Sequence, residues 1–296
     1  MNLAHYKSEE KTRFMPSLGN GTVTQRNTWA SAGKTYHISL PTFLNVNKGF
    51  FLGSLNGSIK VRVYLDQLAN VVDTDKTAPT ATINSMQLRL YGKSLDANEV
   101  NRIVNQNRSL VSTQYRYLQK TLQSKVPLAA GQTQYNILLS ALSGYVSHMF
   151  IIVRANTSVN SGATYANQPD QFKSITKFSI KNNSGALITG IEYDDDYVRN
   201  LYSTYYLSGD LTDISSNIAG TAKYVYLLSF NEKPEDSLWK GTQNGGYVFN
   251  NAGETLTLTF SDSTYTSGLD VASVCDVVVF SYGLISQDVN GNLKKV

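Results

Sequence analysis

Short stretches in which apolar and polar residues alternate strictly recur along this chain. In the clearest of them, Ile59–Asp66 (IKVRVYLD), every second residue is apolar and the residues between are Lys, Arg, Tyr and Asp. Successive side chains of a β-strand point to opposite faces, so this pattern predicts a strand with one buried and one solvated face. Further strands are predicted at residues 35–43, 83–95, 114–122, 133–139, 149–153, 223–230, 254–261 and 275–284.

Turns and helices are predicted between these strands. Residues 175–188 are expected to form a hairpin that turns at Asn182-Asn183-Ser184-Gly185. Asp96 is a suitable N-cap with Glu99 three residues later, which predicts a short helix from about residue 97. A second helix is predicted at 194–207, because Asp194–Asp196 are placed where acidic residues favour a helix N-terminus.

The order of these segments repeats within the chain. GKTYHISLPTF, GSIKVRVYLD and INSMQLRLYGKSL in the first half match TAKYVYLLSFN, GETLTLTFSD and VCDVVVFSYGLIS in the second half in order, length and character. Such a repeat predicts two similar β units, with the boundary between residues 110 and 125. The predicted organisation is an arm or loop at 1–33, a first unit at 34–120 and a second unit at 121–296.

Residues 34–296 resemble, in strand order, the double jelly-roll major capsid proteins of tailless icosahedral, usually membrane-containing viruses, and in size the small bacteriophage members. The resemblance is carried by the second unit. It has an opening strand at Gln132–Leu139, a strand pair at Val146–Ala155 and Ile175–Lys181, and an excursion with a helix at Asp194–Leu207. Three closing strands follow, which begin at Lys223, Glu254 and Val274. The resemblance implies an all-β fold with minor helices, built from two jelly-roll β-sandwiches in tandem.

The first unit departs from the family pattern. If TYHISLP is the sixth strand of a roll, as its later counterpart is, only 33 residues remain for five earlier strands. Three explanations stay open: the first roll is reduced, the register differs, or strands are missing or supplied from outside this chain.

The family resemblance also implies function and partners. It implies a major capsid protein that forms pseudo-hexagonal homotrimers and builds an icosahedral shell. Its partners would be further copies of itself and other virion proteins, such as penton or minor capsid proteins. The N-terminal arm, with Lys7, Lys11 and Arg13, is a candidate contact for an inner viral membrane. The expected location is the virion, after synthesis in the host cytoplasm.

Composition and charge agree with a wall-forming protein. Only 16% of residues are charged, and 19 tyrosines and many Asn, Ser and Thr residues supply the polar surface instead. A low charge and an aromatic, polar surface suit close contact with neighbours. The net charge of +4 is spread along the chain without a cationic run, so no specific nucleic-acid partner is predicted. Neither a signal peptide nor a membrane-spanning run is predicted.

Residue patterns that carry catalysis or bind cofactors were sought without result. The three histidines, His5, His37 and His148, are isolated, whereas jelly-roll metalloenzymes need clustered ones. Asp194–Asp196 lack the spacing of a calcium loop and are interpreted as a helix cap and solvated surface, with a structural ion at a subunit contact as the open alternative. The single cysteine, Cys275, is interpreted as a small core residue. No catalytic, cofactor-binding or metal residue is therefore assigned, no cofactor is expected, and the protein is predicted not to be an enzyme.

One alternative function from another class remains open. A carbohydrate- or receptor-binding β-sandwich, such as a viral spike or a surface lectin, would use exposed aromatic residues and exist as a monomer or small oligomer. A stable trimer would favour the capsid interpretation, whereas a monomer would count against it.

Overall fold

The computed structural model describes about three fifths of the chain. These residues are 23–38, 52–55, 57–65, 80–109, 112–140, 142–155, 173–195, 197–198, 225–232, 244–250, 253–260, 268–288 and 290–295.

Within the described residues, two α-helices precede the strands. Helix α1 spans Val23–Ala32 and helix α2 spans Ala97–Ser109, with a 3-10 turn at Leu52–Ser54 between them. The predicted start of α2 is confirmed, because the backbone N–H of Glu99 donates to Asp96 Oδ1 at 2.9 Å. Helix α1 lies within the segment predicted as an arm or loop, 1–33, and was not itself predicted. This helix has no apolar stripe, so hydrophobic periodicity could not identify it.

Ten strands follow in the described residues. They are β1 Ser112–Leu128, β2 Gln134–Leu138, β3 Ser143–Ala155, β4 Lys177–Lys181, β5 Tyr193–Asp194, β6 Tyr226–Ser229, β7 Tyr247–Asn250, β8 Thr255–Thr259, β9 Ser273–Asp288 and β10 Leu293–Lys295. The strands predicted from residue 114 onward are confirmed, although β1, β3 and β9 are longer than predicted and β6 is shorter. The short strands β5, β7 and β10 were not predicted.

The strands form two antiparallel sheets in jelly-roll order. One sheet runs β1-β9-β3-β6, with β10 joining β9 and β7 joining β3, and the other runs β2-β8-β4-β5. Strands β7 and β10 are short additions to the first sheet. If the other eight strands are numbered from one to eight in chain order, the order across the first sheet is first, eighth, third and sixth. The second sheet holds the second, seventh, fourth and fifth. This is the strand order of an eight-stranded jelly roll. The prediction of an all-β sandwich with minor helices is confirmed.

The main core lies between the two sheets. Its side chains come from both inner faces, including Met149 and Ile151 of the six-stranded sheet and Leu256 and Leu258 of the four-stranded sheet. Aromatic rings fill the ends, with Tyr135 edge-on to Phe260 at 5.7 Å and Phe178 edge-on to Tyr226 at 5.4 Å between ring centroids. Such edge-to-face pairs add stability beyond the area that they bury.

The predicted turn at Asn182–Gly185 is confirmed in detail. The side chain of Asn182 accepts hydrogen bonds from the backbone N–H groups of Ser184 at 3.1 Å and Ala186 at 2.9 Å. Asn is favoured in turns because its side chain can satisfy nearby backbone donors in this way. Gly185 has φ +82°, which explains a glycine at this position.

The strand predictions in the first unit have a different outcome. Residues 57–65 and 80–96 form no strand, and most of their side chains are exposed. Alternation gives a segment a face that can be buried, but a strand also needs a hydrogen-bonded neighbour. The predicted strand at 35–43 lies mostly outside the described residues. A first jelly-roll unit at 34–120 therefore stays a prediction.

Candidate functional site

The described residues contain no group of three or more His, Cys, Asp or Glu side chains that could hold a metal ion. Of the three histidines, His37 is exposed, His148 is buried, and His5 lies outside the described residues. No helix in the described part of the chain is long and apolar enough to cross a membrane.

Five polar side chains form one network at the edge of the six-stranded sheet. The members of this polar junction are Ser147, His148, Ser229, Asn231 and Tyr282. The two ring nitrogens of His148 contact serine hydroxyls, Nδ1 with Ser147 Oγ at 2.5 Å and Nε2 with Ser229 Oγ at 3.2 Å. His148 is thus hydrogen-bonded on both sides within the fold.

Asn231 ties the polar junction together. Its side-chain N–H donates to Ser147 Oγ at 2.7 Å and to the Ser147 carbonyl at 3.1 Å. Its side-chain oxygen accepts from the Tyr282 hydroxyl at 3.0 Å. Three strands, β3, β6 and β9, are therefore linked at the point where the chain leaves β6.

The polar junction has the residue types of a Ser–His catalytic pair but not its accessibility. Ser147 and His148 are both 0% exposed, so no substrate can reach the serine hydroxyl. A nucleophile must approach a substrate carbonyl closely, and a buried hydroxyl cannot. The arrangement is suited to holding strands in position.

The junction also fixes the base of the β6–β7 connection. Asn231 forms an isolated bridge with Gly245 across the ends of this connection. A Cβ atom at Gly245, where φ is +153°, would lie 2.9 Å from Asn231 Cα, so only glycine fits there. The connection at 232–244 consequently begins and ends at one fixed point.

Replacing Asn231 with alanine should lower the free energy of unfolding by about 2 kcal/mol, because buried partners lose their hydrogen bonds. Urea denaturation followed by circular dichroism would measure the change. Asn290→Ala is the matched control, because Asn290 is exposed and hydrogen-bonds to Asp288 through its backbone N–H. The control should change stability by less than about 0.5 kcal/mol. Equal losses in the two variants would contradict a role for the Asn231 side chain.

A second long connection, between β3 and β4, is also anchored where it begins and ends. The Lys173 backbone N–H donates to the Val153 carbonyl at 2.7 Å, and its side chain pairs with Asp270 at 2.9 Å. Arg154 pairs with Asp276 at 2.6 Å on the neighbouring strand. Both long connections of the roll thus start from a rigid base, which is how scaffolds present variable loops.

The acidic run at 194–196 has a structural role where it is described. Asp194 Oδ1 accepts from the Tyr197 backbone N–H at 2.7 Å, which confirms the predicted capping. Asp195 Oδ1 accepts from the Tyr226 hydroxyl at 2.6 Å, and that hydroxyl in turn accepts from the Ile175 N–H at 2.8 Å. The contribution of Tyr226 was not predicted, because its partners are far away in sequence. Asp196 and the rest of the predicted helix after residue 198 lie outside the described residues.

The six-stranded sheet has a second apolar face, directed away from the main core. Phe150 on β3 lies opposite Leu227 on β6 and Val278 on β9, and the ring of Phe280 lies edge-on to Phe150 at 5.9 Å. Leu227 is 0% exposed, and Phe150 and Phe280 are each 6% exposed, although none of the three belongs to the main core. We call Phe150, Leu227, Val278 and Phe280 the outer apolar face. A sheet that is apolar on both faces is covered on both faces.

The outward face of the four-stranded sheet is polar and almost uncharged at its centre. Its side chains are Gln134, Asn136, Ser179, Thr255, Thr257 and Thr259, with Lys177, Lys181 and the exposed Leu138 at its ends. Ser179 and Thr257 are buried on this side. The Thr257 hydroxyl donates to Asn136 Oδ1 at 2.9 Å across the strands. Such a face can lie close to another protein surface without burying isolated charges.

Cys275 is buried in the main core at 0% exposure, which confirms the interpretation of this residue. Burial, with a smaller contribution from the nearby Asp276 carboxylate, raises the pKa of the thiol. Because the thiolate is the reactive form, the folded protein should not react with an aromatic disulfide reagent at pH 8. One thiol per chain should react after unfolding in guanidinium chloride; rapid reaction of the folded protein would contradict this placement.

Comparisons with known proteins find matches only at the level of structure. No protein-family model matches the chain, and no curated protein matches it. Among solved structures, 28 chains match.

The structural matches include viral capsid proteins. PBCV-1 Vp54, fitted into a cryo-EM reconstruction of the virophage Sputnik, matches with a TM-score of 0.48 and 16% identity, over 68% of this chain and 54% of that chain. The Faustovirus major capsid protein matches with a TM-score of 0.40 and 13% identity, over 64% of this chain and 36% of that chain. The mavirus major capsid protein matches with a TM-score of 0.34 and 14% identity, over 63% and 42% of the two chains. The matched regions thus span about half of these capsid proteins or less.

Proposed function

We propose that this protein is a viral major capsid protein that assembles as homotrimers of pseudo-hexagonal outline and builds an icosahedral shell. The observation that carries the proposal is the strand order of the two sheets, which is that of a jelly roll. A jelly roll also serves as a scaffold for lectins and enzymes, so the strand order alone does not determine function.

The surfaces of the roll support a structural role over those alternatives. The Ser147–His148 pair is inaccessible, and no metal-binding group occurs among the described residues. The polar outward face of the four-stranded sheet and the anchored long connections suit a protein that meets neighbours on its flanks. We therefore assign no catalytic activity and no cofactor, and we place the protein in the virion.

The test of this proposal is the oligomeric state of the purified full-length chain. Size-exclusion chromatography with light scattering should give three times the chain mass of 32.6 kDa. Electron microscopy of concentrated material should then show pseudo-hexagonal particles or shells. A monomer that binds glycans would instead support the carbohydrate- or receptor-binding alternative and would overturn the capsid proposal.

We further propose that the chain has two units and that the boundary lies before Ser112. Strand β1 starts at Ser112 and pairs with β9 along its length, so a boundary drawn at residue 120 would divide a strand of the roll. The outer apolar face supports a further layer of protein, because a single sandwich needs only one apolar face on each sheet. The first unit would supply that layer.

We propose that penton or minor capsid proteins contact the trimers and that the N-terminal arm contacts an inner membrane. Lys7, Lys11 and Arg13 give this arm a cationic character that suits anionic headgroups. Deleting residues 1–14 should reduce attachment to the shell or to anionic vesicles and leave the trimer intact. Trimers of the deletion variant that assemble and bind vesicles like the full chain would contradict the role of the arm.

A further inference from the structure

Residues 80–94 form a continuous exposed segment that leads from the N-terminal part of the chain to helix α2 and the jelly roll. Every one of these residues is exposed, and none of them belongs to a helix or a strand. Leu90 and Tyr91 are 69% and 96% exposed, and a Cβ atom at Gly92 would meet nothing within 4 Å. We call residues 80–94 the exposed link.

The exposed link carries two basic residues, Arg89 and Lys93. Both are exposed, and neither takes part in the ion pairs found among the described residues. Endoproteases of the trypsin class bind an Arg or Lys side chain in a pocket with a carboxylate at its base and cut the peptide bond that follows. The bonds open to such an enzyme are Arg89–Leu90 and Lys93–Ser94. Lys93 also lies between Gly92 and Ser94, and exposed segments with small or polar residues are preferred sites of cleavage.

An exposed basic side chain is not sufficient for cleavage, because the protease must also reach the backbone. Lys177 is likewise exposed, but it lies in β4, which is paired with β5 on one side and with β8 on the other. The bond Lys177–Phe178 is therefore reached only after part of the sheet opens, and its cleavage depends on the small population of that open form. The exposed link belongs to no helix or strand, so no element has to open first.

The structure that follows the link defines what a cut would leave. Helix α2 begins shortly after it, with Asp96 as its cap. Strand β1 then pairs with β9 from Ser112 to Leu128, and the ten described strands and the main core all come after the link in the chain. A cut in the link therefore removes none of these strands and no residue of the main core.

We propose that the exposed link is a cleavage site for endoproteases specific for basic residues, and that a cut there leaves the jelly roll folded. Hydrolysis adds one water molecule across the bond that follows Arg89 or Lys93. That residue gains a carboxylate, and the next residue, Leu90 or Ser94, gains an amino group. The proposal concerns the connection between the two parts of the chain and does not depend on the capsid function proposed above.

Limited digestion of the full-length protein with trypsin tests this proposal within a single sample. Mass spectrometry of timed aliquots should detect new N-termini at Leu90 or Ser94 forming at least about 100-fold faster than a new N-terminus at Phe178. Lys177 is the internal reference, because it is an exposed basic residue of the same molecule that differs in its paired backbone. Far-UV circular dichroism should show that the β-sheet signal remains after the link is cut.

Two variants distinguish this site from a general loss of structure. In R89Q/K93Q the new N-termini at Leu90 and Ser94 should disappear, while thermal unfolding should not change because both substituted side chains are exposed. The matched control K60Q/R62Q removes the same charge from another exposed segment. In this control the cuts after Arg89 and Lys93 should occur at the same rate as in the unsubstituted protein.

Three results would overturn the proposal. New N-termini at Leu90, Ser94 and Phe178 that form at equal rates would show that the whole chain opens before any cut. A link that resists trypsin in the native protein but is cut in urea would show that the link is covered. A loss of β-sheet signal that R89Q/K93Q does not show would mean that the roll needs the intact chain. None of these results changes the oligomeric state of the uncut protein, so the capsid proposal is tested separately.

Discussion

Replacing Gly268 with alanine is expected to lower the free energy of unfolding by roughly 2–5 kcal/mol, one of the largest effects of any single methyl group in this fold. Gly268 has φ +89°, a conformation that costs other residues about 1–2 kcal/mol. A Cβ atom there would lie 2.4 Å from both the carbonyl carbon and the carbonyl oxygen of Gln132. This neighbour is backbone and cannot move aside as a flexible side chain can.

The close approach at Gly268 is part of a backbone contact that closes one end of the sandwich. The Leu269 N–H donates to the Gln132 carbonyl at 3.0 Å, and the Gly131 N–H donates to the Leu269 carbonyl at 2.8 Å. These bonds connect the turn between β1 and β2 with the segment that leads into β9. A displaced Gly268 would therefore separate two strands from different sheets.

Gly131→Ala is the matched control for this prediction. Gly131 has φ +81° and belongs to the same contact, but a Cβ atom there would meet nothing within 4 Å. The free energy of unfolding of this variant should fall only by the cost of backbone strain, about 1 kcal/mol. Urea denaturation measures the free energy of unfolding of both variants. The difference between the two values reports the close contact of residue 268 with Gln132. Equal losses would show that the backbone at 268 is not close to Gln132.

Local sequence patterns predicted the elements whose causes are local. The Asn182 turn, the Asp96 cap and the alternating strand β8 each depend on residues within a few positions of one another. Their partners are fixed by chain geometry, so type and spacing suffice. The same holds for Cys275, because an apolar run around a small residue is typical of a core strand.

Features that depend on distant partners were not predicted. The polar junction joins residues 147 and 282, and no local pattern marks Asn231 as their link. Alternation at 59–66 predicted a strand with one buried face, but residues 59–65 form no strand and Val61, Val63 and Leu65 are exposed. Whether such a segment becomes a strand depends on a neighbour that the pattern does not contain. Pairing is a property of two segments, and periodicity describes only one.

One missed feature did leave a pattern in the sequence. Phe150-Ile151-Ile152-Val153 on β3 and Val277-Val278-Val279-Phe280 on β9 are continuous apolar runs without alternation. Continuous runs are typical of strands that are buried on both faces. The outer apolar face could thus have been predicted from these two strands before any pairing was known.

Phe150→Ala is expected to lower the free energy of unfolding by about 3–5 kcal/mol, because it removes a buried aromatic ring and leaves a cavity. The expected size follows from the 6% exposure of Phe150 and its edge-on contact with Phe280. A phenylalanine on an ordinary solvent-facing side of a sheet would lose less than about 1 kcal/mol on the same change. The measurement therefore decides whether the six-stranded sheet is the middle layer of the protein or one of its walls.

Val248→Ala provides the comparison, since Val248 lies on β7 of the same sheet and is 55% exposed. It should change the free energy of unfolding by less than about 0.5 kcal/mol. A double-mutant cycle with Phe280→Ala should add a coupling of about 0.5–1.5 kcal/mol for the ring pair. A loss at Phe150 as small as that at Val248 would mean that the outer apolar face is open to solvent, and the further layer proposed from it would have to be abandoned.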